Sequence, residues 1–323
     1  MKRLFTMILV LSLLLCGCET KPVEKSIFCM NTVMDFKIWG KDAFDASNAL
    51  YVELLDLEYL WSATSKHSVL ADLNNKNKRD DIILSPELSK VTEKAEMLSR
   101  RTHGAFDPKM RCLSEAWGFY DEQHRVPDQD EIDAAMADPQ WDLGGALKGY
   151  AGQRCAELLA ELDIDRALLN LGGNVQTLGE KPGGEPWQVA IQNPDGGNYL
   201  GILSVTGTMA VVTSGDYQRY FEKDGIRYHH ILDPETGYPA SSGLRSVTVI
   251  CADGMTADAL STALFVMGLE EGAQFWRGAQ SDPELAFEAI FIEDNGAISV
   301  TSGLKDAFSL AEGYTDREVT VLE

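Results

Sequence analysis

In the first half of the chain, apolar residues recur every three or four positions over several long stretches. The stretch "DAFDASNALYVELLDLEYLWS" at 42–62 has this spacing and predicts a long amphipathic helix. A second helix is expected to begin at Ser85, a residue suited to the N-cap, with Pro86 in the first helical position. The same periodicity predicts two further helices, within 128–137 and over 144–162.

From residue 166 onward the pattern changes to short segments rich in β-branched residues, most of which end in turn residues. These segments are "ALLNLGG", "WQVAIQNP", "GILSVTGTMAVVTSG", "IRYHHILDP" and "SVTVICA". One helix over 256–267 interrupts them, and Asn295-Gly296 predicts a hairpin turn near the end. A helix-rich N-terminal part followed by a strand-rich C-terminal part favours an α+β fold, with mixed, largely antiparallel sheets flanked by helices.

The first 18 residues have the pattern of a secretory signal peptide. Lys2 and Arg3 precede an apolar run that is too short to span a membrane comfortably, and the run ends in "LCGC". This ending resembles a bacterial lipobox with Cys18 as the lipidated residue; secretion with a cleaved signal is the alternative. We therefore expect a polar tether over 19–28 and a single domain over 29–323, held by lipid on the extracytoplasmic face of the cell membrane.

Charge and cysteine content limit the classes of function. The formal net charge is −22, from 28 basic and 50 acidic residues, which argues against binding to nucleic acid or, through protein charge, to anionic lipid. An anionic ligand would need local cations or a metal ion. The cysteines beyond the lipobox are scattered without zinc-ligand spacing, so we expect buried free thiols, with structural disulfides as the alternative. These cysteines are Cys29, Cys112, Cys155 and Cys251.

Two helix starts carry residues suited to phosphate or metal chemistry. Asp258 and Thr262 stand four apart, so a helix presents their hard oxygen atoms on one face, as Mg²⁺ prefers. Asp258 is equally explained as an acidic residue stabilised near a helix N-terminus. Gly144 and Gly145 allow a ligand to approach the backbone where the next helix begins, and Lys148 could meet a phosphate. Packing of a helix end on a strand would explain the same glycines.

The adjacent histidines His229 and His230 lie in "GIRYHHILDPETGYP", at the end of a predicted strand. Alternation along a strand should point their side chains to opposite faces. One of them could therefore face a site while the other packs inside. No G-x-S-x-G segment is present, so nothing supports a serine hydrolase.

Taken together and in this order, the motifs closely resemble those of the ApbE-like FAD:protein FMN transferases. The resemblance rests on "CMNT", "GAFDP", "AWGFY", "WDLGGALKGYA", "LLNLGGNV", "VVTSGDYQRYFEKDGIRYHHILDPETGYP" and "TADALSTALFVMG", and covers nearly all of the chain after the lipobox. It implies an FAD cleft between the helix-rich and strand-rich parts. It also implies a magnesium-dependent enzyme that transfers FMN from FAD to a Thr or Ser hydroxyl of an acceptor protein and releases AMP. The acceptors would be flavoprotein subunits of membrane redox complexes.

The resemblance also implies a role for individual residues. His230 would be the catalytic base, since a hydroxyl nucleophile must lose its proton, and His229 a structural neighbour. Asp258 would be catalytic and, with Thr262, a magnesium ligand, joined by Gly145 through its backbone oxygen and by Ser261. The residues expected to contact the cofactor are Met30, Thr64, Ala105, Phe106, Asp107, Asp142, Lys148 and Leu232.

At a few positions the chain departs from the family pattern. Thr64 stands where many relatives have Tyr, Asn31 replaces a usual Gly, and Arg111-Cys112 replaces a usual Gly-Pro. None of these changes touches the implied metal ligands or His230. Two alternative functions share the same site: an FAD pyrophosphatase that yields FMN and AMP, and a lipoprotein that only binds FAD.

Overall fold

The computed structural model describes residues 21–78, 85–121 and 123–323. The predicted signal peptide, its lipidation site Cys18 and the first two residues of the predicted tether lie outside the described residues.

Within these ranges the chain forms seven α-helices and fourteen β-strands. The helices are α1 (Ala43–Trp61), α2 (Val69–Asn74), α3 (Pro86–Arg101), α4 (Arg111–Ala116), α5 (Gln129–Met136), α6 (Leu147–Glu161) and α7 (Gly254–Ala279). The strands are β1 (Val23–Cys29), β2 (Thr32–Trp39), β3 (Arg166–Leu171), β4 (Asn174–Leu178), β5 (Trp187–Gln192), β6 (Tyr199–Val205), β7 (Ala210–Gly215), β8 (Tyr220–Lys223), β9 (Ile226–His229), β10 (Leu244–Cys251), β11 (Glu288–Glu293), β12 (Ile298–Thr301), β13 (Phe308–Leu310) and β14 (Val319–Leu322).

A nine-stranded sheet forms the centre of the fold, in the order β1-β2-β3-β4-β7-β10-β11-β12-β14. All of its neighbouring strands pair antiparallel except β12 and β14, which are parallel. A three-stranded sheet, β13-β6-β5, and a two-stranded hairpin, β8-β9, complete the β structure. The predicted α+β class with largely antiparallel sheets is confirmed.

The central strands of the large sheet are buried on both faces. Along β10, Val249 belongs to the core beneath the helices, and its neighbour Ile250 belongs to the core beneath the three-stranded sheet. The same alternation occurs at Ala210 and Val211 on β7. A strand covered on both faces is apolar at nearly every position, and this explains the continuous run "SVTVIC".

A third, smaller core lies under the β8-β9 hairpin, where Trp117 and Leu113 pack with Ile132 and Leu232. The Trp117 indole N–H donates to the carbonyl oxygen of Gly237 at 2.9 Å. This contact ties the turn that follows the hairpin to the segment after α4. The hairpin that carries the two histidines is thereby held against the helical part.

The predicted tether over 19–28 is wrong for residues 23–28, because these residues form most of strand β1. Val23, Ile27 and Cys29 face α1, and so does Lys25, whose ammonium donates to the Asn48 side-chain oxygen at 2.7 Å. The alternation of apolar and polar residues that predicts a strand is not visible here, because polar Lys25 lies on the inward face and apolar Phe28 is exposed on the outward face. β1 also closes one edge of the large sheet.

The helix predicted over 256–267 continues to Ala279, but the two parts meet at a kink. Gly268 has φ 80° and ψ −179°, a conformation that is accessible to glycine and strained for other residues. Within the described ranges no helix is both long and apolar enough to cross a membrane. The four described cysteines are free thiols, as expected. Three of them are buried, and Cys112 is only half-buried.

Candidate active site

An open cleft of ≈ 880 Å³ lies where the starts of α6 and α7 meet the end of β7 and the β8-β9 hairpin. Ten of the residues predicted for the site line this one cleft, although they come from four separate segments of the chain. They are Ala105, Phe106, Asp107, Asp142, Gly145, Lys148, His230, Leu232, Asp258 and Thr262. The mixture of apolar and polar walls is typical of a small-molecule site.

Next to the cleft, the first turns of α6 and α7 touch through their main chains. A Cβ atom added at Gly149 would lie 2.0 Å from the carbonyl oxygen of Gly254, so only glycine allows this approach. The Gly149 N–H donates to Oδ2 of Asp258 at 2.8 Å. The carboxylate of Asp258, 4% exposed, is thus fixed by the start of the neighbouring helix.

Hydroxyl oxygens of three side chains, Ser214, Ser261 and Thr262, lie close together beside this contact. Ser261 donates its hydroxyl proton to the Asp258 carbonyl oxygen at 2.8 Å, and its Oγ is also 2.8 Å from the Ser214 Oγ. Because the Ser261 proton is committed, Ser214 donates to Ser261 and can accept from Thr262, 3.3 Å away. Lone pairs of the Thr262 hydroxyl then remain free toward the cleft. Ser261 is fully buried and supports the site from behind instead of lining it.

Gly145 lies directly opposite Thr262. A Cβ atom at Gly145 would come within 3.3 Å of the Thr262 Oγ1, so the missing side chain leaves the backbone of this loop next to the hydroxyl. The donor set of Asp258, Thr262 and the loop backbone contains only oxygen, which suits Mg²⁺ better than zinc. In the described part of the chain, no group of three His, Cys, Asp or Glu residues is arranged to hold a metal ion. A cation here would therefore keep part of its coordination for water or substrate oxygen.

The two histidines point in different directions, as strand alternation predicts. The His229 ring is buried edge-on against Phe265, and its Nε2–H donates to the Ala240 carbonyl oxygen at 3.1 Å. Its Nδ1 is buried and has no hydrogen-bond partner in the described part of the chain. Burial lowers the pKa of His229 below its usual value, so the ring is neutral and structural.

His230 lines the cleft, and its ring is held by a carbonyl group. Its Nδ1 lies 3.2 Å from the Arg219 carbonyl oxygen, which can only accept, so Nδ1 carries the proton and Nε2 is left as a free acceptor. Burial, followed by the positive charges of Arg219 and Lys148, lowers the pKa of His230 well below its usual value. His230 is therefore a neutral imidazole at neutral pH, ready to take a proton.

Asp142 is held in a fixed orientation at the rim. The Tyr120 hydroxyl donates to its Oδ2, and the Gly144 N–H donates to its Oδ1 at 2.8 Å. Burial and the nearby Asp142 carboxylate raise the pKa of Tyr120 well above its usual value, so the phenol keeps its proton and remains a donor. Arg111, one of the departures from the family pattern, lies over the Tyr120 ring with its guanidinium carbon 5.7 Å from the centroid.

Two predicted cofactor contacts do not line the cleft. Met30 lies in the two-residue turn between β1 and β2, where it and Asn31 have φ values of 49° and 59°. Asparagine tolerates this left-handed conformation, which explains why Asn31 can replace glycine there. Thr64 is exposed beyond α1 and is hydrogen-bonded to the Ser62 hydroxyl at 3.2 Å.

Several residues of the cleft wall were not predicted to be part of the site. The most informative are Tyr120, Asn174 and Arg219. Asn174 is 5% exposed, and its Nδ2 has no hydrogen-bond partner among the described residues. The "GGN" and "YQR" motifs that contain Asn174 and Arg219 were visible in the sequence, but only tertiary contacts reveal that both side chains reach the cleft.

Comparisons with known proteins identify relatives of this chain. A profile described as the ApbE family matches residues 30–287. The chain is 33% identical over 320 residues to an FAD:protein FMN transferase of Klebsiella pneumoniae, covering 92% of this chain and 97% of the relative. It is 28% identical over 343 residues to the enzyme of the same name from Treponema pallidum, covering 92% and 93%.

Solved structures show the same fold. The crystal structure of the ApbE protein from Thermotoga maritima aligns with a TM-score of 0.79 at 32% identity, over 89% of this chain and 99% of that one. The flavin transferase ApbE from Vibrio cholerae aligns with a TM-score of 0.75 at 26% identity, over 92% and 99%. With the profile spanning most of the chain and the fold shared throughout, this protein belongs to the ApbE family.

Proposed function

We propose that this protein transfers FMN from FAD to a Thr or Ser hydroxyl group of an acceptor protein and releases AMP. The names of the relatives support flavin transfer. The finer points, namely the type of acceptor residue, the released nucleotide and the dependence on Mg²⁺, are what the resemblance to the family implies, and the oxygen donors of the cleft suit the magnesium ion.

The single observation that carries this proposal is the free Nε2 of His230 in the same cleft as Asp258 and Thr262. A hydroxyl group attacks phosphorus only as its proton leaves, and a neutral imidazole is the common acceptor near neutral pH. The hydroxyl oxygens and the one carboxylate of the same cleft suit a cation, which would meet the other need of the reaction, namely to hold a diphosphate in an acidic protein.

The reaction balances as a phosphoryl transfer. The acceptor oxygen forms a bond to the phosphorus of the FMN moiety, and the bond from that phosphorus to the bridging oxygen of AMP breaks. The hydroxyl proton passes to Nε2 of His230, and AMP leaves with the electron pair of the broken bond. Lys148 binds phosphate oxygens, since no other described residue forms an ion pair with it.

The oxygen donors fit a magnesium ion. Asp258, Thr262 and the backbone of Gly145 would hold it, and Ser261 would keep the Asp258 main chain in place. When bound, the ion would neutralise charge on the diphosphate and polarise the phosphorus that is attacked.

Mass spectrometry tests the proposal directly. The full-length chain in detergent is incubated with FAD, Mg²⁺ and an acceptor domain that contains a Ser/Thr-Gly-x-x-Thr segment. We expect the acceptor to gain the mass of FMN, and expect no gain with EDTA or with His230→Asn. Release of free FMN and AMP without modification of any tested acceptor would favour the pyrophosphatase. Unchanged FAD that stays bound would leave only an FAD carrier.

We further propose that Cys18 carries a lipid that anchors the domain outside the cytoplasmic membrane, where acceptor subunits of membrane redox complexes are found. The support is the lipobox-like sequence "LCGC". Strand β1 starts at Val23, so four residues would link Cys18 to the strand, and the five Cα–Cα steps span at most about 17 Å when extended.

Membrane fractionation checks this anchor. We expect the wild-type chain in the membrane pellet with a diacylglycerol mass on the peptide that begins at Cys18. Cys18→Ser should lose that mass. A wild-type chain without the lipid mass would indicate simple secretion instead.

A further inference from the structure

Arg219 connects the catalytic base to the open space of the cleft. It lies between β7 and β8, and its carbonyl oxygen accepts from both the main-chain N–H of His230, at 3.1 Å, and the ring Nδ1 of His230, at 3.2 Å. The main chain of Arg219 therefore fixes the position and the tautomer of His230. Its side chain lines the same cleft.

The guanidinium of Arg219 has no acidic partner among the described residues. Arg227, on the same hairpin, is the contrasting case: it pairs with Asp216 at 3.3 Å and Glu222 at 3.7 Å, and stacks on Tyr220. Arg245 likewise pairs with Asp216 and with Asp195. In a chain with 50 acidic and 28 basic residues, an arginine that faces a cleft without a carboxylate is available to an anionic ligand.

Two cations approach His230 from different parts of the fold. Lys148 extends from the first turn of α6, and Arg219 from the side of the hairpin. The charged or titratable groups that act on the His230 ring are these two and the neighbouring His229. An anion bound beside the base would therefore lie between an ammonium and a guanidinium group.

We propose that Arg219 binds the phosphoryl group that is transferred, by donating from its guanidinium to the non-bridging oxygens of the FMN phosphate. The inference rests on the proposed flavin transfer and names the residue that holds its reacting phosphorus. A planar guanidinium matches two phosphate oxygens at once, whereas the ammonium of Lys148 acts as a point charge. One residue thus positions both the base, through its carbonyl group, and the phosphorus, through its side chain.

Such a contact matters most as the reaction proceeds. While the acceptor oxygen approaches and AMP departs, negative charge is spread over the non-bridging oxygens of the transferred group. A cation aimed at those oxygens stabilises the transition state more than the bound FAD. Loss of the guanidinium should consequently lower kcat more than it weakens FAD binding.

The test compares Arg219→Gln and Arg219→Lys with Arg227→Gln in the full-length chain. Arg227 is the matched control, because it lies on the same hairpin but is already paired outside the cleft. We expect Arg219→Gln to lower kcat for acceptor modification by about 100-fold or more. Arg219→Lys should recover part of this loss, and Arg227→Gln should stay within about 3-fold of wild type.

The pH profile separates this role from a merely structural one. Removal of a positive charge beside His230 raises its pKa, so the acid limb of kcat/KM should move to higher pH in Arg219→Gln and stay in place in Arg219→Lys. Transfer by Arg219→Gln at the wild-type rate with an unshifted acid limb would overturn the proposal. If Arg219→Gln does not fold, a wild-type rate and unchanged FAD affinity for Arg219→Ala would overturn it equally.

Failure of the proposed function would look different. If the wild-type chain modifies no acceptor, the affinity for FAD still decides the role of Arg219. This affinity is measured by flavin fluorescence in the presence of EDTA. Weaker binding in Arg219→Gln than in Arg227→Gln supports a phosphate contact, and equal binding in both contradicts it.

Discussion

The Asp258 carboxylate group lines the cleft and is fixed by the Gly149 N–H, and this makes it informative to mutate. Asn in its place keeps an oxygen for the Gly149 N–H but removes the charge. We expect Asp258→Asn to remain folded, to lose about 100-fold or more in transfer, and to need far more Mg²⁺ for half-maximal rate.

A magnesium titration of the transfer rate checks this prediction. Asp45→Asn is the matched control, since Asp45 is an exposed carboxylate in the first turn of α1. An unchanged magnesium requirement in Asp258→Asn would rule out a role for this carboxylate in metal binding.

His229 makes stability depend on pH with a defined sign. Burial lowers its pKa in the fold, whereas the unfolded chain titrates near the ordinary value of about 6.5. At mildly acidic pH the unfolded state therefore binds more protons, so stability is complete above about pH 6.5 and falls as pH decreases. One such histidine contributes a slope of at most about 1.4 kcal/mol per pH unit.

Urea unfolding of wild type and His229→Leu between pH 5 and 8 measures that slope. The variant should show a shallower decline at acidic pH, whatever its absolute stability, because one titrating group is gone. Parallel curves would mean that His229 is protonated equally in the folded and unfolded states.

At the scale of elements, the contact between α6 and α7 is the least tolerant of change. Gly149→Ala would place a methyl group 2.0 Å from the Gly254 carbonyl oxygen, which forces the helices apart. We expect a loss of about 3 kcal/mol in the free energy of unfolding, together with loss of transfer, since the Asp258 carboxylate moves with the helix.

Thermal and urea unfolding check this expectation. Gly278→Ala is the control on α7, where an added Cβ meets nothing within 4 Å, and it should be neutral or stabilising by up to about 1 kcal/mol. Equal stability of the two variants would mean that the helices separate without cost.

Helices were easier to predict from the sequence than the strands at the N-terminus. Helix α3 begins at Pro86 as predicted, because the Ser85 hydroxyl accepts from the Leu88 N–H, a local contact that is visible in sequence. Strand β1 was missed because Lys25 occupies an inward position and is satisfied only by α1, where its partner Asn48 lies 23 residues further along the chain.

The site shows the same division between local and distant information. His230, Asp258 and Thr262 could be predicted because each belongs to a recognisable motif. The Tyr120 contact with Asp142 joins segments that are 22 residues apart. The lack of an acidic partner for the Arg219 guanidinium, among the described residues, depends on where the acidic side chains lie in space. A single sequence does not contain either fact.

At the scale of the whole molecule, β1 sets where the folded domain begins. A chain that starts at residue 21 should fold with nearly the stability of the mature protein. A chain that starts at residue 30 should lose about 3 kcal/mol or more, because α1 loses the side chains that face it and β2 becomes an unpaired edge.

Solubility and melting temperature of the two truncated chains test this boundary. If the shorter chain melts at the same temperature as the longer one, then β1 adds nothing to the fold and acts as part of a longer tether.

The glycine contact next to the cleft also constrains how such an enzyme can change over time. Because this contact is made of main chain from Gly149 and Gly254, no side chain can be added there without separating the two helices. Variation in acceptor preference must then arise at the rim, on the β8-β9 hairpin and the loops around Asp107 and Asp142. Recognition of new partners can diverge there while the distance between the two helix starts stays constant.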